Sequence, residues 1–156
     1  LPTRRFLDWD WAGAEREYQR ALELNPGSAD AYGSYGLYLA AMASSQEALT
    51  HFARAIELDP LTPWRHTAPA YGHYFDHRFE PALASLRQAL TLDPDLSVAR
   101  GLRGLISSEL GRHAEATTDL KWVVDRGTPA VSRAAALGYV YARAGRVKKA
   151  RESMRG

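Results

Sequence analysis

The chain has 156 residues, 46% hydrophobic and 24% charged, which is about one domain's length with enough apolar residues for a core. It has no cysteine, so disulfides, thiolate metal sites and a cysteine nucleophile are excluded, and no segment approaches the ~18 uncharged apolar residues of a membrane helix. The net charge of +2 is unevenly spread, with 12 basic and 17 acidic groups in residues 1–125 against 8 and 1 in residues 126–156, an asymmetry that directs attention to anionic partners.

The chain opens on Leu1-Pro2, with neither an initiator Met nor a signal peptide, and is expected to be a piece of a longer protein. Its first predicted element ends in "RALELNP" at Pro26. Nearly the same words, "RAIELDP" and "RQALTLDP", close later segments at Pro60 and Pro94, so the prolines stand 34 residues apart. A fixed step of that size marks a supersecondary unit repeated in tandem. One domain over 1–156 is expected, with units at approximately 1–26 (partial), 27–60, 61–94, 95–128 and 129–156 (partial).

In the second unit, "SSQEALTHFARAIELDP" spaces Ala48, Leu49, Phe52, Ala55, Ile56 and Leu58 as an amphipathic helix does. Ser44 with Glu47 predicts a capping box at its start, and Pro60 closes it. The third unit begins with Thr62-Pro63, an N-cap followed by proline in the first turn. Pro69 falls inside its first helix, which must therefore kink or begin near Thr67. Pro81 lies in the first turn of the next helix, where its missing N–H has no helical partner to lose. Gly111 in the fourth unit and Gly145 in the last stand where a left-handed residue ends a helix, and Thr128-Pro129 repeats the N-cap signal.

Three series of small residues keep the 34-residue step: Ala14, Ala48, Ala82, Ala116 and Ala150; Ala21, Ala55 and Ala89, with Val123 fourth; Gly36, Ala70, Gly104 and Gly138. Helices approach to ~8–10 Å only where the crossing side chains are small. Each unit is therefore predicted to be an antiparallel helical hairpin stacked on its neighbours. No stretch alternates with period two for long enough to suggest a strand, so the fold class is all-α.

Tyr32-x2-Tyr35-Gly36-x2-Leu39, followed by Ala48, Phe52, Ala55 and Pro60, resembles the tetratricopeptide repeat. Gly104, Gly111, Ala116 and Leu120 continue the resemblance, as do Leu137-Gly138-x2-Tyr141, Gly145 and Ala150, so that it covers nearly the whole chain. It implies an α-solenoid of about four hairpins with truncated ends. "FLDWDWAGAEREYQRALELNP" further resembles the C-terminal tetratricopeptide regions of bacterial signalling and regulatory proteins. Together these imply a cytoplasmic, non-catalytic module without cofactor that binds a peptide or protein segment in a concave groove.

The resemblance also implies which residues face that groove: Ser34 and Leu37; Tyr71, Tyr74 and Phe75; Leu102 and Leu105; Tyr139 and Arg143. Gly33 and Leu37 occupy the places where a carboxylate clamp needs Lys and Asn, which argues against clamping a C-terminus. An apolar, aromatic groove suits a helix or an extended segment, with tyrosines as anchors. Aromatic stripes at helical spacing equally serve as core, and the tyrosines divide between the two readings.

Other constellations are thinner. His73 and His77 stand at i, i+4, a spacing that can hold Zn²⁺ with Asp76 or Glu80. But His73 falls where the repeat buries an aromatic, and His77 falls at the turn. Arg143, Arg146, Lys148, Lys149, Arg151 and Arg155 offer several phosphate contacts and an alternative function in anion or nucleic-acid binding. That stretch lacks aromatics for base stacking, and a solvated helix face explains it more simply. No nucleophile sits in a tight Gly-flanked turn and no glycine-rich phosphate loop appears, so no catalysis is expected. Trp9, Trp11 and Tyr18 at one end, and Val147, Ala150 and Met154 at the other, are expected to lack partners and to favour weak self-association.

Overall fold

The computed structural model of the chain describes residues 11–42 and 44–126. Seven α-helices run through them: α1 (Trp11–Leu24), α2 (Ala29–Ala41), α3 (Ser45–Leu58), α4 (Pro63–Phe75), α5 (Phe79–Leu92), α6 (Ser97–Glu109) and α7 (His113–Asp125). No strand occurs among the described residues. Helices α2 and α3, α4 and α5, and α6 and α7 pack as hairpins, and each hairpin packs on the next through α3 with α4 and α5 with α6. The repeat length now has a structural cause. A helix of 13 residues, a turn of three, a helix of 14 and a connection of four complete the 34-residue step, once from α2 and again from α4.

The turn inside each hairpin is a Schellman motif. The N–H of Arg78 donates to the carbonyl of His73, and that of Arg112 to the carbonyl of Ser107, both at 2.8 Å. Ser44 donates likewise to Leu39 at 2.9 Å. The motif needs a left-handed residue, supplied by His77 at φ 55° and by Gly111 at φ 73°. This turn also explains why the expected capping box fails. Ser44 does head α3, and its carbonyl receives the Ala48 N–H at 2.9 Å. Its backbone, however, is set by the preceding turn at φ −93°, ψ 57°, outside the extended range of a capping serine, and its hydroxyl makes no cap hydrogen bond. The serine that caps is Ser28, whose Oγ accepts from Ala31 N–H at 3.1 Å.

The connection between hairpins repeats as well. The His66 ring nitrogen Nε2 lies 2.7 Å from the Pro60 carbonyl, and Arg100 Nε donates to the Pro94 carbonyl at 2.7 Å. Two different nitrogen-bearing side chains thus serve the same closing proline, one step apart. Helix α4 starts at Pro63 with Thr62 as N-cap, so the alternative start near Thr67 falls; Pro69 is buried inside a helix that continues to Phe75.

The core lies where the small residues bring each hairpin's helices together. Ala48, Ala82 and Ala116 are fully buried, as are Ala70 and Ala89. Opposite the small residues of the first helices stand Phe52, Leu86 and Leu120, themselves 34 residues apart and buried. Helix α1 covers the outer side of α2: Tyr18 stacks on Tyr35 with ring centroids 5.5 Å apart and touches Tyr38 at 5.4 Å. The expectation that Tyr18 lacks a partner is thereby corrected. Trp9, Val147, Ala150 and Met154 lie outside the described residues, as does the side chain of Trp11.

Candidate protein-interaction face

The first helices of successive hairpins, α2, α4 and α6, stand side by side, α2 against α4 and α4 against α6. A row of this kind presents one strip of each helix to whatever lies in front of it. Position by position, the 34-residue step aligns Leu37, Tyr71 and Leu105, all half-buried. Tyr71 rests against the core of α5 and α6, and burial raises its phenol pKa above the ordinary value. Tyr74 is half-buried too, with its ring 5.7 Å from Phe75 and 6.2 Å from Phe79. Phe75 is 58% exposed and Ser34 is exposed. Leu102 differs: it is 5% exposed and packed into the same core as Ala99 and Ile106; of its register-mates Ala68 is buried too, while Ser34 is exposed. The face therefore does not include Leu102. Tyr139 and Arg143 lie outside the described residues.

One further aromatic belongs with this face, although the sequence resemblance does not point to it. Trp64, in the first turn of α4, is 39% exposed and lies 6.3 Å from Tyr71, seven residues and two turns along the same helix. Its register-mate on α6, Val98, is 43% exposed. The i, i+7 spacing of Trp64 and Tyr71 was the signal available in the sequence. Around these apolar groups the charges are paired. Arg65 donates to Asp59 at 2.7 Å and to Asp30 at 2.8 Å, tying α4 to α2. The Arg65 hydrogen bond, helped by Thr62, holds the Asp59 carboxyl below its usual pKa.

The other sequence candidates resolve differently. His73 lies within α4 and His77 beyond its end in a left-handed conformation, so the two do not share a continuous helix face. Burial lowers the His73 pKa, with Arg78 adding to the effect and Asp76 opposing it. Among the described residues no group of three or more His, Cys, Asp or Glu is placed to hold a metal ion. None of the described helices is long and apolar enough to cross a membrane.

A larger cleft, about 720 Å³, opens between α5, α6 and α7. Two of its three guanidinium groups, those of Arg103 and Arg112, are engaged. Arg103 makes two bonds to Asp119, at 2.6 and 2.7 Å, and Arg112 donates to Glu80 at 2.6 Å. Asp119 is 3% exposed, and Arg100 approaches it at 3.6 Å while stacking over Trp122 at 4.2 Å. This network clamps the last two described hairpins. It is a structural device, and Arg87 and Glu115 of the lining stand outside its hydrogen bonds.

Residues 10–63 match the family model of the tetratricopeptide repeat. No curated protein matches the chain. Among solved structures, the chain is similar to TTC0263, a thermophilic TPR protein in Thermus thermophilus, with 19% identity, a TM-score of 0.79, and 92% of this chain and 79% of that one covered. It is similar to MamA from Desulfovibrio magneticus, with 19% identity, a TM-score of 0.78, and 93% and 82% covered. It is also similar to a chain of the APC/C hetero-tetramer Cut9–Hcn1, with 14% identity, a TM-score of 0.83, and 92% and 29% covered. At these identities the likeness carries the fold.

Proposed function

We propose that this chain, whose residues 10–63 match the tetratricopeptide repeat, is a non-catalytic protein-interaction module that takes a peptide or protein segment along the row α2, α4, α6. The observation that carries the reading is the aromatic strip of α4. Trp64, Tyr71, Tyr74 and Phe75 give one short helix four aromatic side chains, two of them exposed, in a chain whose core is built mostly of Ala and Leu. Large aromatics at a solvent-facing site cost solubility unless a partner covers them, and such residues dominate interface energetics. Leu37, Ser34 and Leu105 flank the strip, and Tyr139 and Arg143 share in sequence the register positions of Leu105 and Phe75. The neighbouring charges of Asp30, Arg65 and Asp59 satisfy one another, which favours an apolar ligand segment over a charged one. The occurrence of a similar fold in a hetero-tetramer agrees with a binding role.

Within this reading the module belongs to a larger cytoplasmic regulator of a bacterium, whose effector domain is encoded beside it. The test of the binding role is a peptide selected against the chain from a random display library. Trp64→Ala and Tyr71→Ala are expected to weaken that peptide about tenfold or more, as anchor truncations do, with thermal stability little changed for Trp64→Ala. Binding that ignores both substitutions and weakens steeply with salt would overturn the reading in favour of the basic stretch 143–155.

A further inference from the structure

Helices α5 and α7 do not touch, and the cleft between them, floored by α6, encloses about 720 Å³. That volume is in the range of small-ligand sites. The cleft shares no lining residue with the aromatic strip of α4. We propose that it binds a zwitterion whose ammonium and carboxylate stand about a lysine side chain's length apart, as presented by a peptide that ends in a free C-terminal lysine. The inference goes beyond the interaction-face reading and does not depend on it.

Three observations carry it. The first is the charge left over. Three guanidiniums and three carboxylates line the cleft, so its formal charge is zero and it favours neither a polyanion nor a polycation. Arg103 with Asp119, and Arg112 with Glu80, are joined by hydrogen bonds that brace the walls. Among the described residues, the exposed side chains of Arg87 and Glu115 make no hydrogen bond or ion pair. Arg87 stands on α5 and Glu115 on α7, so a guest meets a cation on one wall and an anion on the other. The braced walls hold the two charges apart before any ligand arrives, which lowers the cost of binding.

The second is spacing. By the 34-residue step Glu115 lies level with Pro81, six residues before Arg87. A helical rise of ~1.5 Å per residue sets the two backbone positions about 9 Å apart along the helices. The arms of Arg87 and Glu115 shorten that gap, and a chain of a few methylenes spans the rest beside Leu83 and Ala114. An α-amino acid, with both charges on one carbon, is too short to reach both walls. The third is the unit before, where Ala53 and Pro81 occupy the places of Arg87 and Glu115. Pro69 and Ser85 likewise occupy those of Arg103 and Asp119. The hairpins stack there without these charges, so packing alone does not call for them. The hollow on α3 at that earlier place does hold Arg54 and Glu57, but these two bind each other at 2.8 Å.

6-Aminohexanoate tests the cleft without any partner protein, against hexanoate and hexylamine, each of which keeps one of its charges. Titration in low salt near neutral pH, followed by NMR of the Leu83, Ala114 and Thr118 amides, is expected to show saturable 6-aminohexanoate binding. Each one-charge analogue is expected to bind about fivefold more weakly or worse, the scale of a partly exposed charge pair. Arg87→Gln is expected to cancel the advantage over hexylamine, and Glu115→Gln the advantage over hexanoate. Both side chains are exposed, so both variants keep the fold. A short acetylated peptide ending in a free lysine is expected to bind about fivefold more tightly than its C-terminal amide. No saturable 6-aminohexanoate binding, or binding equal to that of both analogues, overturns the site and leaves the Trp64–Tyr71 strip untouched. Equal binding of the peptide and its amide overturns the assignment to a peptide end. Trp64→Ala is expected to leave the 6-aminohexanoate titration unchanged; an effect as large as that of Arg87→Gln overturns the placement of the site in this cleft.

Discussion

A methyl carbon placed on Gly36 would lie 2.6 Å from Cε1 of Phe52 and 3.2 Å from the carbonyl oxygen of Ala48. The ring of α3 fills the space where a side chain of α2 would begin. Two units later, Gly104 stands in the same relation to Leu120, at 2.8 Å. This contact, repeated at the 34-residue step with Ala70 and Leu86 between, is what draws each hairpin closed.

Gly36→Ala and Gly104→Ala are therefore expected to destabilise the protein by about 1–3 kcal/mol through overpacking. Gly101→Ala should do the reverse. It lies in the middle of α6, where an added methyl group would meet nothing within 4 Å, and an alanine there gains about 0.5–1 kcal/mol in helix propensity. Ala48→Leu, Ala82→Leu and Ala116→Leu belong with the first pair, each at a fully buried site, and exposed Thr50→Leu serves as their neutral control. Urea denaturation of the set gives the comparison.

His77→Gly is expected to stabilise the fold by roughly 1 kcal/mol, the cost of a left-handed side-chain residue less the loss of entropy that glycine brings. The edge contact of the His77 ring with Phe79 offsets part of the gain. Urea denaturation gives the stability. A loss of stability in the glycine variant would show that the left-handed histidine carries no cost.

Much of this architecture is written in the sequence because a hairpin crossing tolerates only small residues and a closing turn only a few. The spacing of Gly36, Ala48 and Pro60 is enough to define the unit. What the sequence hides depends on geometry between elements. Ser44 carries the right residue type for a cap, but the turn before it decides where its hydroxyl points. Leu102 reads as groove by register, yet the crossing of α6 over α5 buries it. Arg103 and Asp119 are 16 residues apart on antiparallel helices, and no local periodicity announces that they meet.

The pair of half-buried Arg103 and buried Asp119 supports a third prediction. Asp119→Ala leaves Arg103 without the carboxylate that takes both its bonds and keeps its pKa raised, and is expected to cost about 3 kcal/mol. The double change Arg103→Met with Asp119→Leu should recover most of the loss, since no uncompensated charge remains. A double-mutant cycle in urea reads both quantities.

Stability should also fall on mild acidification. Burial lowers the pKa of His51, against a smaller opposite pull from Glu47, and burial likewise lowers that of His73. The Nδ1 atoms of both are buried without a hydrogen bond. A histidine whose folded pKa lies below its unfolded value binds protons more readily in the unfolded chain. The stability it contributes is complete above the unfolded pKa, about 6.5, and is lost as pH falls through that value toward the folded pKa. Melting temperature is thus expected to drop between roughly pH 7.5 and 5.5, and the double variant His51→Gln, His73→Gln should show a flatter profile. Equal slopes in both proteins would remove the histidines from the account.

The central claim is that the row α2, α4, α6 is the binding face, and the most direct measurement is an NMR cross-saturation footprint of the library-selected peptide on the chain. The account predicts that saturation transfers to Trp64, Tyr71 and Phe75 of α4, with Leu37 and Leu105 at the edges. A footprint confined to α3, α5 and α7, with the α4 aromatics silent, would contradict it.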